Sequence, residues 1–163
     1  WPWECKSKYK EPSKKDKLGS GLGKDVWGFA DHTGLKGATR TIWKVGTNTW
    51  TKNNREYFAL KKPDVYNVGS TLMGAREIKA MEAVNKEVKK IGSACRFLLP
   101  ILQKDPCVGG HIIKDAIVIP LMEWDLRKWK EQDSTPPQKC ADKVMNDVLD
   151  GLTCLHKAGW VHG

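Results

Sequence analysis

The chain has 163 residues, 40% of them hydrophobic, which suffices for one core or for a small lobe with part of a second, and excludes a complete two-lobed enzyme. Its formal net charge of +9 favours nucleic acid, acidic membrane surfaces or acidic proteins through long-range attraction, but the basic residues are spread widely. No apolar run approaches the ~18 residues of a membrane span, so the expectation is a soluble or peripheral protein.

Five cysteines, at positions 5, 95, 107, 140 and 154, are odd in number and lack Cys-x-x-Cys spacing. That pattern argues against a disulfide framework or a zinc site, and for an intracellular, reducing setting in which cytoplasm, nucleus and organelle are not distinguished. The first residue is Trp1 and the last falls in a loop, so the sequence reads as a piece of a longer protein.

Residues 1–16 mix Lys, Ser, Pro and Trp without a period, as a basic, Trp-containing leader does; its lysines read as a solvated segment. Leu18 then opens a Gly-studded run, Gly19-Ser20-Gly21-Leu22-Gly23, leading into Val26-Trp27-Gly28-Phe29-Ala30, a hairpin of two short strands. Residues 31–55 are rich in turn formers, yet Thr41-Ile42-Trp43-Lys44-Val45 alternates like a further strand. Tyr57 to Lys61 is strand-like and Pro63 limits its extension.

A helix is predicted after Ser70-Thr71, whose hydroxyls can cap it, ending near Gly92. Residues 77, 81, 84, 88 and 91 share one face; Met81, Val84, Val88 and Ile91 are apolar, and Glu77 is an acid on the same stripe. Residues 97–102 and 116–121 read as strands joined by a loop containing Pro106 and Gly109-Gly110. A short helix begins at Glu123-Trp124-Asp125 and is broken by Ser134-Thr135-Pro136-Pro137. A long helix follows over 138–157, with Val144, Val148, Leu152 and Leu155 as its stripe.

A carboxylate on an apolar helix face requires a cation or several donors, unless it lies at the stripe's edge and reaches water. Lys61, on the strand before the helix, is the natural partner; Lys62 is directed to the opposite face by strand alternation. Such a pair presents an ammonium to nucleotide phosphates, and a glycine-rich turn lets backbone amides approach phosphate oxygens without a Cβ clash.

In their order, these motifs make residues 17–163 resemble the N-terminal half of a eukaryotic-type serine/threonine protein kinase domain. The matching motifs are Leu18-Gly19-Ser20-Gly21 with Val26, Phe58-Ala59-Leu60-Lys61, Ala75-Arg76-Glu77-Ile78, Leu121-Met122-Glu123-Trp124-Asp125-Leu126, and Leu152-x-x-Leu155-His156 leading to Val161-His162. The wording around Ser70-Thr71, Arg76-Glu77-Ile78 and Asp125-Leu126 is similar to the cyclin-dependent and related serine/threonine branch. The resemblance implies an α+β fold: an N-lobe of about five antiparallel strands plus one helix over 17–119, a hinge over 120–124, and the start of a helical C-lobe over 125–163. It also implies that Lys61 binds the α- and β-phosphates of ATP and that Glu77 is its ion-pair partner. Leu18, Val26 and Ala59 would sandwich the adenine behind the phosphate loop Gly19-Ser20-Gly21. Ile119 would guard the back of the pocket, and the Pro120 carbonyl and Met122 amide would meet the adenine edge.

Departures from the pattern are Gly23 one position early with Lys24 where the third glycine stands, a long connection between the second and third strands, and Gly163 where an arginine is usual. The catalytic Asp and the Mg²⁺ ligands would lie beyond residue 163, and no metal site is expected within the chain. His162 would brace the loop structurally. The implied partners are ATP, a protein substrate, and a missing C-lobe or regulatory protein, with no membrane span. The alternatives are a pseudokinase or scaffold, a small-molecule kinase of related fold, and a basic, Trp-rich nucleic-acid binder using Trp1, Trp3, Trp27, Trp43 and Trp50 as stacking platforms.

Overall fold

The computed structural model describes residues 4–22, 39–47, 56–63, 68–91, 95–123, 125–132 and 138–162. It is an α+β structure with a five-stranded antiparallel sheet, a separate two-stranded hairpin and three α-helices among these residues. In chain order the elements are β1 (Lys17–Leu22), β2 (Thr39–Gly46), β3 (Tyr57–Pro63), α1 (Val68–Ile91), β4 (Gln103–Lys104), β5 (Cys107–Val108), β6 (His111–Ile112), β7 (Ile117–Pro120), α2 (Leu126–Gln132) and α3 (Gln138–Lys157). The main sheet has the order β1-β2-β3-β7-β4, and β5 pairs with β6.

Two compact units divide the chain. The first holds Trp1–Lys79 with Pro100–Leu121, and the second holds Ala80–Leu99 with Met122–His162, so the division falls inside α1 and after Leu121.

In the first unit the register sets Trp43, Leu60 and Val118 in one row, and Val45, Phe58 and Pro120 in another. Alternation puts both rows on one face of the sheet, where Val45, Leu60 and Val118 form a core with Tyr9, Val108 and Ala116. Tyr9 comes from the segment read as a leader. It is 1% exposed and meets Phe58 edge-on, with ring centroids 5.9 Å apart. Its backbone bridges Thr47 on one side and Val108 on the other. Ser7 Oγ donates to the Tyr9 carbonyl at 2.6 Å, and a Cys5–Cys107 disulfide spans a Cα–Cα distance of 6.0 Å. After this segment, the 3-10 turn Lys14–Asp16 is closed by the Asp16 carboxylate, which accepts from the Ser13 N–H at 2.8 Å and from the Ser13 hydroxyl at 2.9 Å.

In the second unit Met81, Val84 and Val88 of α1 meet Leu98 and the α3 residues Cys154 and Leu155, as the predicted stripe requires. A Cys95–Cys154 disulfide lies within this cluster, leaving Cys140 as a free, exposed thiol. The absence of a disulfide framework inferred from cysteine spacing is thereby corrected. Partners 102 and 59 residues apart are joined by the fold and leave no local pattern. The reducing setting inferred from those cysteines loses that support.

Helix ends follow local chemistry. The Asp125 carboxylate accepts from the Lys128 N–H at 2.8 Å, capping α2. Helix α3 ends in a Schellman turn: Gly159 has φ +85°, its N–H donates to the His156 carbonyl, and the Trp160 N–H donates to the Leu155 carbonyl. Two expectations change. Helix α1 begins at Val68, so Ser70 is fully buried inside the first turn and does not precede the helix as a cap. Residues 97–102 are not a strand: the Leu98 N–H closes a turn onto the Cys95 carbonyl, and pairing with β7 begins at Gln103. Pro100 lacks the N–H a ladder needs; Leu98 packs against the second cluster, and the Leu102 N–H donates to the Val118 carbonyl at 2.8 Å. The predicted loop around Gly109-Gly110 contains the β5–β6 hairpin, whose two-residue turn has φ +59° and +87°, as a type I′ turn requires.

Candidate functional site

Strand β3 carries Lys61 and helix α1 carries Glu77. Lys61 Nζ donates to Glu77 Oε1 at 2.8 Å, with the two side chains 22% and 28% exposed. The apolar neighbourhood makes an unpaired charge costly here, and the contact answers that cost. Both side chains keep part of their surface in contact with solvent.

The cross-strand register builds the surroundings of Lys61. It lies opposite Ile42 on β2 and Ile117 on β7, and Ile42 in turn lies opposite Gly19 on β1. Two residues earlier on the same face is Ala59, buried at 4%, opposite Lys44 and Ile119. Ala59, Lys61, Ile117 and Ile119 therefore share the sheet face that turns away from the Tyr9 core. Lys62 pairs with Thr41 on the other face, so alternation separates the two lysines as their positions imply.

The remaining predicted residues fall as follows. Gly19, Ser20 and Gly21 are strand residues paired with Ile42, Thr41 and Arg40, not members of a turn. A Cβ added at Gly19 would meet no atom within 4 Å, so that end of the row is uncovered. Leu18 is exposed at an irregularity between Lys17 and Gly19. Val26 and Lys24 lie outside the described residues, as does the strand read over residues 26–30; the described partner of β1 is β2. Pro120 is half-buried opposite Phe58, on the Tyr9 side of the sheet. Met122 is exposed and belongs to the second unit, as does the exposed His162.

Ile42 and Ile117, which flank Lys61 directly, were not singled out in the sequence. The alternation in residues 41–45 and 116–121 held that signal, but register is needed to bring it beside Lys61. Another contact invisible in the sequence sits on α1. Gly74 is buried against the loop before β7, where an added Cβ would come within 2.5 Å of the Asp115 carbonyl oxygen.

Among the described residues no cluster of three or more His, Cys, Asp or Glu side chains is placed to hold a metal ion, and no helix is long and apolar enough to cross a membrane. The arrangement thus offers one oriented ammonium, its carboxylate partner and a small apolar surface beside them. Comparison with known proteins finds no matching family model, no matching curated protein and no matching solved structure.

Proposed function

We propose that this chain carries the nucleotide-binding part of a serine/threonine protein kinase, with Lys61 directed at the α- and β-phosphates of ATP and Glu77 holding its ammonium in position. The observation that supports this reading most is the 2.8 Å contact joining β3 to α1. A lysine is a flexible point charge, and fixing its ammonium removes part of the entropy cost of meeting a phosphate. Ala59 and Ile119, paired on the face that bears Lys61, supply a small, flat apolar surface suited to a base. The open space over Gly19 leaves the end of that row uncovered.

Bound ATP with Mg²⁺ would supply the phosphoryl group, which in the whole protein passes to a protein hydroxyl. The residues described here bind and orient. Binding without transfer by the whole protein would favour a scaffold of the same fold.

Calorimetric titration with MgATP tests the reading. The chain should bind, and Lys61→Met should weaken binding by roughly tenfold or more, since a charge-assisted contact contributes about 1.5–3 kcal/mol. No binding by the unaltered chain, or equal binding by Lys61→Met, would overturn it.

A further inference from the structure

The two disulfides sit in different surroundings. Cys95 and Cys154 are both buried within the second cluster, at 6% and 2% exposure. Cys107 is also buried, but its partner Cys5 is half-exposed, on a segment that enters no named strand. Thiol–disulfide exchange requires a thiolate to reach one sulfur along the S–S axis, so access separates the two bonds.

The Cys5 segment is a strap. Between residues 5 and 10, inward Cys5, Ser7 and Tyr9 alternate with exposed Lys6, Lys8 and Lys10. Its backbone bonds run from the Lys10 N–H to the Gly46 carbonyl at 2.9 Å, from the Gly109 N–H to the Tyr9 carbonyl at 3.2 Å and from the Cys5 N–H to the Gly110 carbonyl at 3.2 Å, in isolated bridges and not in a strand ladder. Yet it delivers Tyr9 to the centre of the first core.

We propose that Cys5–Cys107 is a reversible redox latch fastening this strap, while Cys95–Cys154 is a permanent cross-link. In the opening step a dithiol reductant attacks the Cys5 sulfur as a thiolate, and the S–S bond breaks as a mixed disulfide forms. The reductant's second thiol then displaces Cys5 and closes the reductant's own disulfide. Cys5 and Cys107 gain two electrons and two protons as thiols, and the dithiol is oxidised by the same two electrons. Without the cross-link the strap has a loop of about a hundred residues to close by its bridges and the packing of Tyr9 alone, so it opens far more often. Opening withdraws Tyr9 from Phe58 and Leu60 on β3. The same strand bears Ala59 and Lys61 on its other face, so the latch state reaches the candidate site through one strand.

The test uses the full chain with Cys140→Ser, to prevent thiol shuffling, in graded dithiothreitol. Alkylation and peptide mass mapping report which cysteines are free, and brief trypsin exposure reports cleavage after Lys6 and Lys8. Cys5 and Cys107 should become alkylated at lower dithiothreitol than Cys95 and Cys154. In that window, cleavage in the strap should accelerate by roughly tenfold or more and reverse on reoxidation. Simultaneous alkylation of all four cysteines would overturn the proposal, as would a strap that stays resistant once Cys5 and Cys107 are free. The double variant Cys5→Ser with Cys107→Ser should cleave rapidly with or without reductant. If it does not fold, the dithiothreitol series on the Cys140→Ser chain decides alone.

Discussion

In the first unit, apolar residues at alternate positions of β2, β3 and β7 leave solvent almost entirely, with Val45 at 1% and Leu60 and Val118 at 0% exposure. In the second, the α3 stripe is covered unevenly: Leu155 is buried, Val144 and Leu152 are half-buried, and Val148 stays exposed, as do its neighbours Met145 and Leu149. A sheet residue is closed in by register neighbours on both sides and by one layer above. A helix stripe is closed only where another element lies along it, and among the described residues Leu98, Cys95 and α1 do so at one end. Apolar period thus locates a face in both units, but predicts burial reliably only where register also acts.

Substitutions at matched positions put this contrast at risk. Leu60→Ala should cost about 2–5 kcal/mol in denaturant unfolding, because the core cannot close over the cavity. Val148→Ala, on the predicted stripe but exposed, should stay within about 0.5 kcal/mol. Comparable losses would mean that the α3 face is packed after all.

Two buried glycines sharpen the contrast further. At Gly74 a methyl group would meet the Asp115 carbonyl at 2.5 Å, which is backbone and cannot swing away, so Gly74→Ala should cost about 1–3 kcal/mol. At Gly151 the nearest atoms stand 3.6 Å from an added Cβ, an ordinary contact, so Gly151→Ala should be neutral or stabilise by up to about 1 kcal/mol through helix propensity. Melting curves of the two variants should move in opposite directions or differ clearly in size.

The smallest effect concerns acid. Hydrogen bonds from the Ser13 backbone N–H and hydroxyl hold the Asp16 carboxyl below its ordinary value of 3.8. A depressed carboxyl adds stability that is present above the unfolded value and is lost as pH falls through the folded one. Ser13→Ala, which removes the hydroxyl donor and keeps the backbone one, should therefore lower stability slightly at neutral pH, with the difference fading as pH falls through the carboxyl's range below pH ~4. A difference that persists undiminished at low pH would contradict this assignment.

Local chemistry was legible in the sequence wherever it acts over a few residues. The long helix at 138–157, the end of α1 after Ile91 and the β3 and β7 strands each follow from period and from Gly or Pro punctuation. Pairing of Lys61 with Glu77 was legible because a charge on an apolar stripe demands a partner, and the preceding strand offered one. What stayed hidden depends on distant contacts. Tyr9 sits in an aperiodic segment and gains its role from Phe58 and Val108, which no local pattern links to it. Both disulfides and the Gly74–Asp115 approach are likewise set by the fold. Residues 97–102 misled because an apolar run carries no sign of where along it ladder pairing will begin.

The proposed role of Glu77, to act on nucleotide through Lys61, is measured directly by a double-mutant cycle on MgATP affinity. Lys61→Met and Glu77→Gln should each weaken binding, and once Lys61 is Met the Glu77→Gln change should cost almost nothing more, giving a coupling of about 0.5–3 kcal/mol. Strictly additive losses, or losses from Glu77→Gln alone, would contradict the account.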